Sequence, residues 1–164
     1  MKTFLSSWLS PTSALLVLVL AVSGLANAAT QYVVANDDYA GPFSSGVTFF
    51  TVAPNGLLTL KQQVVTGGNG IGGGFFGANR IRVLNGSQGC VYSSDAATGD
   101  IAGIVVSTLT IGGIATGSVD DGGTSNGIGL ALNDQYLYAS FTDSNTIGTF
   151  QVQPGCGLSF LNDT

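Results

Sequence analysis

The sequence predicts an all-β chain assembled from repeated four-stranded antiparallel meanders. The clearest unit lies between Asn126 and Phe160. There the apolar run Gly127-Ile-Gly-Leu-Ala-Leu132, the turn pair Asn133-Asp134 and the alternating run Gln135-Tyr-Leu-Tyr-Ala-Ser-Phe141 follow one another. A polar break at Thr142 to Asn145, a run from Thr146 to Val152, the turn Pro154-Gly155 and a run from Leu158 to Leu161 complete it. Asx pairs and Pro-Gly between short β-prone runs signal hairpins, because these residues accept a positive φ or preset a negative one. The second observation is that the unit recurs. Gln31-Tyr-Val-Val-Ala-Asn36, Gly89-Cys-Val-Tyr-Ser-Ser94 and Gln135-Tyr-Leu-Tyr-Ala-Ser140 superpose, with starts 58 and 46 residues apart (89 minus 31, 135 minus 89). Those offsets bracket the roughly 40 to 50 residues of a β-propeller blade. The third is composition: 25 of 164 residues are glycine, Glu is absent, and no long segment has a 3.6-residue apolar period.

Taken in order, the chain opens on a segment that is set aside from the fold. Lys2 provides a positive start, Ala14 to Val22 is uninterrupted apolar sequence, and Ala26-Asn-Ala28 fits a small-x-small cleavage site. Residues 1–28 are therefore expected to be a signal peptide cut after Ala28. A membrane anchor is the alternative, but the run falls short of the roughly 20 residues a spanning helix needs. Blade one, about 31–61, begins at its second strand and continues through Val47 to Val52, the turn Ala53-Pro-Asn-Gly56 and Leu57 to Leu60. Blade two, about 78–116, comprises Arg80 to Leu84, Cys90 to Ser94, Ile101 to Ser107 and a strand from Leu109 to Ala115 weakened by Gly112-Gly113. Blade three, about 126–161, is the unit described first. Glycine-rich runs at 66–74 and 116–127 lie between blades, and the first reads as a flexible connector. Three blades, one without its inner strand, make an incomplete propeller, since a closed ring typically takes about 4 to 8. The chain is thus expected to be an N-terminal fragment that associates with remaining blades or with itself.

The expected mature chain of 136 residues (164 minus 28) is long enough for one domain with a core. It carries nine aspartates against Lys61, Arg80 and Arg82, a net charge of −6 (3 minus 9). That balance offers no electrostatic footprint for nucleic acid or for an anionic membrane. With no His and no Glu, neither a Ser-His-Asp triad nor a His-based acid/base pair can form within the chain. Ser93, Ser94 and Ser140 lie in strands without an elbow motif. Tyr32, Tyr92, Tyr136 and Tyr138 are placed either to pack blades or to stack on sugars.

The candidate ligand positions are aspartates. Asp120-Asp121, in a loop rich in Thr, Ser and Asn, is a candidate Ca2+ site, and a solvated acidic turn is its alternative. Asp37, Asp38 and Asp143 follow equivalent strands; they either rim a central pocket or serve as ordinary turn residues. Cys90 and Cys156 are the only cysteines. Export places them in an oxidising compartment, secreted or periplasmic, where a disulfide between neighbouring blades and two unpaired thiols are both open readings. Two cysteines without His cannot make a four-ligand zinc site.

Gly127-Ile-Gly-Leu-Ala-Leu-Asn-Asp-Gln-Tyr-Leu-Tyr-Ala-Ser140, followed by Asp143-Ser-Asn-Thr-Ile-Gly-Thr-Phe150, resembles the repeat of bacterial seven-bladed propellers similar to 6-phosphogluconolactonase. Tyr32-Val-Val-Ala-Asn36, Gly46-Val-Thr-Phe-Phe-Thr-Val52 and Asn55-Gly-Leu-Leu-Thr59 are similar to the first blade of that family. The resemblance spans nearly all of the expected mature chain and implies blade architecture. It also implies hydrolysis of sugar-derived lactones as an activity. It carries over no catalytic residue, because the His, Glu and Arg expected around such a site have no matching positions. A non-catalytic propeller binding a carbohydrate, peptide or protein is the alternative function.

Overall fold

In the computed structural model, residues 30–37, 39–41, 45–72, 80–84, 89–116, 129–142 and 144–164 are described. Their eleven strands form three antiparallel sheets, each a meander in chain order. The first sheet holds β1 (Tyr32–Asn36), β2 (Gly46–Val52) and β3 (Leu58–Val65). The second holds β4 (Ile81–Leu84), β5 (Cys90–Asp95), β6 (Asp100–Val105) and β7 (Thr110–Thr116). The third holds β8 (Gly129–Leu132), β9 (Tyr136–Phe141), β10 (Thr146–Val152) and β11 (Leu158–Asp163). Residues Gln31–Thr164 make one compact unit; the leader expected over 1–28 lies outside the described residues.

The turns form where short polar side chains and glycine supply local bonds. Asn133 Oδ1 accepts from the backbone N–H of Gln135 at 2.9 Å and of Tyr136 at 2.7 Å, closing the β8–β9 hairpin. Between β2 and β3, Gly56 sits at φ 81°, and its N–H donates to Ala53 O at 2.8 Å. A side chain there would be forced into the left-handed region that only glycine enters without penalty.

The second sheet lies between the other two, and side-chain alternation divides its residues between two cores. Val91, Ile104 and Leu109 face the first sheet and pack with Val47, Phe49 and Val64. Cys90, Tyr92, Ile101 and Ala115 face the third and pack with Leu130, Leu137, Ala139, Phe141 and Phe150. Strands of one half-buried sheet alternate apolar and polar, whereas one covered on both faces has no such freedom. All six residues of β5 are accordingly buried. Along the second and third sheets, β4 lies against β8 and β7 against β11, so equivalent strands stack on each other.

Three expectations require correction in detail. The fourth strand of the second sheet pairs over Thr110–Thr116, its paired glycines marking a bulge that leaves Gly112 unpaired rather than a break, and β3 runs to Val65 rather than ending at Leu60. In β3 the pattern is hidden by polar residues: Gln62 faces the second sheet and its amide donates to Leu109 O at 3.1 Å. The connector at 66–74 is ordered over its described start. Thr66, Gly68 and Gly70 are buried there, Thr66 N–H donates to Ser45 O at 2.9 Å, and Gly70 N–H donates to Tyr39 O at 2.9 Å. Backbone groups paired away from water fix a loop that composition alone marks as flexible.

Candidate functional site

The glycines of β6 and β7 determine how the third sheet meets the second. A Cβ on Gly103 would fall onto the carbonyl oxygen of Cys156, and one on Gly112 onto that of Gly155; one on Gly113 would lie 3.1 Å from the Cα of Gly157. The tight turn Pro154–Cys156 therefore lies directly on the backbone of β6 and β7. It brings Cys156 to Cys90, and the two are joined in a disulfide with Cα atoms 5.5 Å apart. That bond ties β5 of the second sheet to the β10–β11 turn of the third.

A second feature is an acid network between the first and second sheets. Asp95, at the end of β5, is 0% exposed. Thr66 Oγ1 lies 2.9 Å from Asp95 Oδ1 and 2.9 Å from Ser45 O. A hydroxyl has one proton, so Thr66 donates to one of the two at a time: to the carboxylate when Asp95 is ionised, and to Ser45 O when Asp95 is protonated and itself donates to Thr66. Burial pushes the Asp95 carboxyl up to about 6, the Thr66 bond opposes the rise, and the nearby charges of Asp100 and Asp37 add to it. Asp100 is itself raised, chiefly by burial.

Of the expected aspartates, Asp37 is described, and it organises backbone. Its Oδ1 accepts from Gly46 N–H at 2.8 Å and its Oδ2 from the Gln63 amide at 3.3 Å, holding β1, β2 and β3 together beyond the loop. Asp38, Asp143, Asp120 and Asp121 lie outside the described residues, so the pocket rim and the Ca2+ loop are not placed. Among the described residues, no group of three or more His, Cys, Asp or Glu side chains is arranged to hold a metal ion, and no helix is long and apolar enough to cross a membrane.

Where the sequence offered aspartates, the structure presents a cavity built around arginines. A cavity of about 300 Å³ is lined by Arg80 and Arg82 with Ala131, Tyr138, Ser140 and Ile147. Arg82 pairs across the ladder with Tyr92, which faces the third sheet, so Arg82 projects to that side, and alternation sends Arg80 the same way. Its anchorage is secure: Arg80 N–H donates to Ser94 Oγ at 2.7 Å, and Ser94 N–H donates to Arg80 O at 2.9 Å. Tyr138 and Ile147 belong to the face of the third sheet opposite its buried residues, and they are 36% and 50% exposed. Arg80, just before β4, and Arg82 on it meet that face at β8, the edge strand beside them. Sequence reasoning had counted these arginines only as charge. The available signal was their spacing: two of the four cations of the chain stand at alternate positions before one turn.

Among the described residues no carboxylate lines the cavity, and Asp95 is sealed from solvent. What the cavity offers is positive charge, an aromatic wall and hydroxyls, which suits binding. No protein-family model matches the chain, and no curated protein matches it.

Proposed function

We propose that this chain is an exported binding protein of the lactonase-like β-propeller type, with its three sheets as consecutive blades and the Arg80–Arg82 cavity as its ligand site. The stacking of equivalent strands, β4 on β8 and β7 on β11, supports the blade reading. Sheets related in this way extend by adding a further sheet of the same repeat to an outer face. The outer face of the first sheet carries Val33 and Leu60, 42% and 64% exposed, as such an arrangement requires.

The observation that carries the functional reading is the described lining of the cavity, which brings together two arginines, a tyrosine and a serine. Such a set suits orienting a small polar ligand by charge, stacking and hydrogen bonds. The test is a thermal-unfolding screen of the full chain against small sugars, organic acids and sugar lactones, repeated with Ala131→Trp, which fills the cavity. The expected result is a ligand-dependent rise in the midpoint that the filled variant lacks. The lactone samples, with and without a calcium chelator, are also followed for ring opening. Turnover above the buffer rate would replace the binding reading by the hydrolysis that the family resemblance implies.

A further inference from the structure

We propose that the Arg80–Arg82 cavity takes a uronate, a pyranose ring bearing a carboxylate; the inference rests on reading that cavity as the ligand site and names its ligand class. The chain has a net charge of −5, so a small anion meets repulsion over most of its surface. Among the described residues the cavity lining inverts this locally, because half of the four cations of the sequence line it. Both are arginine, whose planar fork matches the two oxygens of a carboxylate, where lysine offers only a point charge. Among the described residues the Arg82 guanidinium bonds one acceptor, its Nη1 donating to Ile81 O at 2.8 Å. That bond steadies the side chain while leaving further N–H donors on a group that carries five.

The remainder of the wall fits the ring. Tyr138 turns a partly exposed aromatic side chain into the cavity, a flat apolar surface for the C–H face of a pyranose. Ser140 Oγ accepts from Gly129 N–H at 2.9 Å, so its own proton remains to be donated to a ring hydroxyl. About 300 Å³ is at the small end of ligand cavities, enough for one or two sugar rings. Arg82 and Tyr138 line the same site, and an anion carried directly on the ring, as in a uronate, presents ring and charge together to these neighbouring residues.

The experiment is calorimetric titration of the full chain with galacturonate, galactose and galactose 6-phosphate at low and raised salt, with Arg82→Met and Tyr138→Leu as variants. Denaturation midpoints establish that both variants fold. Expected is binding of galacturonate that weakens with salt, at least tenfold tighter than galactose, and reduced by roughly 10- to 100-fold in Arg82→Met, the range of a charged hydrogen bond. Galactose binding equally well or galactose 6-phosphate binding more tightly would overturn the uronate assignment while leaving the cavity a sugar site; Arg82→Met binding galacturonate unchanged would overturn both, since the carboxylate would then be held elsewhere. Binding of none of the three would overturn the assignment and the ligand-site reading together.

Discussion

Asp95 shows at the scale of one residue how burial reverses the usual pH dependence of a carboxyl. Its folded-state pKa, about 6, lies above the roughly 3.9 of an unfolded aspartate, so the native chain holds the proton more tightly than the unfolded chain. Stability from this group is therefore fully present below about pH 4 and is lost as the pH rises through about 6. The loss amounts to roughly 3 kcal/mol, since each tenfold difference in proton affinity is worth about 1.4 kcal/mol. Asp100, also raised, acts in the same direction. Urea denaturation of the full chain at pH 4.5, 6 and 7.5 should show stability falling with pH. Asp95→Asn should flatten that slope and be the more stable protein at pH 7.5, because its amide donates to Thr66 Oγ1 as the protonated acid does. A parallel slope in the variant would remove Asp95 as the cause. This position was not legible in advance. Its counterpart in the third repeat is Phe141, and only Ser45, just before β2, and Thr66, just after β3, make it an acid in a closed site.

At the scale of elements, the repeat was legible because turns and β-prone runs are local, whereas strand quality was not. Gly112 and Gly113 read as a weakness in β7, since glycine gives a strand no side chain to pack. The structure shows what occupies that space: the turn at 154–156, some 40 residues away along the chain, lies on the bare backbone. Hairpin chemistry marks where chains reverse and is silent about which reversal docks where. Gly103→Ala or Gly112→Ala should each cost about 2 to 3 kcal/mol, the scale of overpacking against a fixed neighbour. Gly155→Ala meets nothing within 4 Å, and its cost should be the roughly 1 kcal/mol of a left-handed backbone, φ 74°. Guanidinium denaturation of the three variants checks the order, and equal losses would show that the turn yields. The cavity was half legible for the same reason. Arg80 and Arg82 were visible as scarce charge, but the meeting of β4 with the open face at Tyr138 is a product of stacking.

At the largest scale, the unit Gln31–Thr164 layers its three sheets so that the middle one is covered on both sides and clamped to one neighbour by Cys90–Cys156. The bond spans 66 positions, and loop closure of that length stabilises by about 3 to 5 kcal/mol on the chain-entropy estimate. Alkylation of the unreduced protein should leave both cysteines unmodified by intact mass, and Cys156→Ser should lower the denaturation midpoint by an amount of that order. Two modified thiols would exclude the bond. The two sides of the middle sheet are also unlike: one is aliphatic, with Val91 and Ile104, and the other is bare at Gly103 and Gly112 and carries Cys90. These modules are consequently not interchangeable. A gene duplication that copied residues 81–116 in tandem would set the bare side of one copy against the aliphatic side of the next, without the turn that fills the hollow or a partner for its thiol. Growth of this chain by repeating its middle is closed off, and a lengthened descendant must instead acquire sheets whose facing sides have changed together.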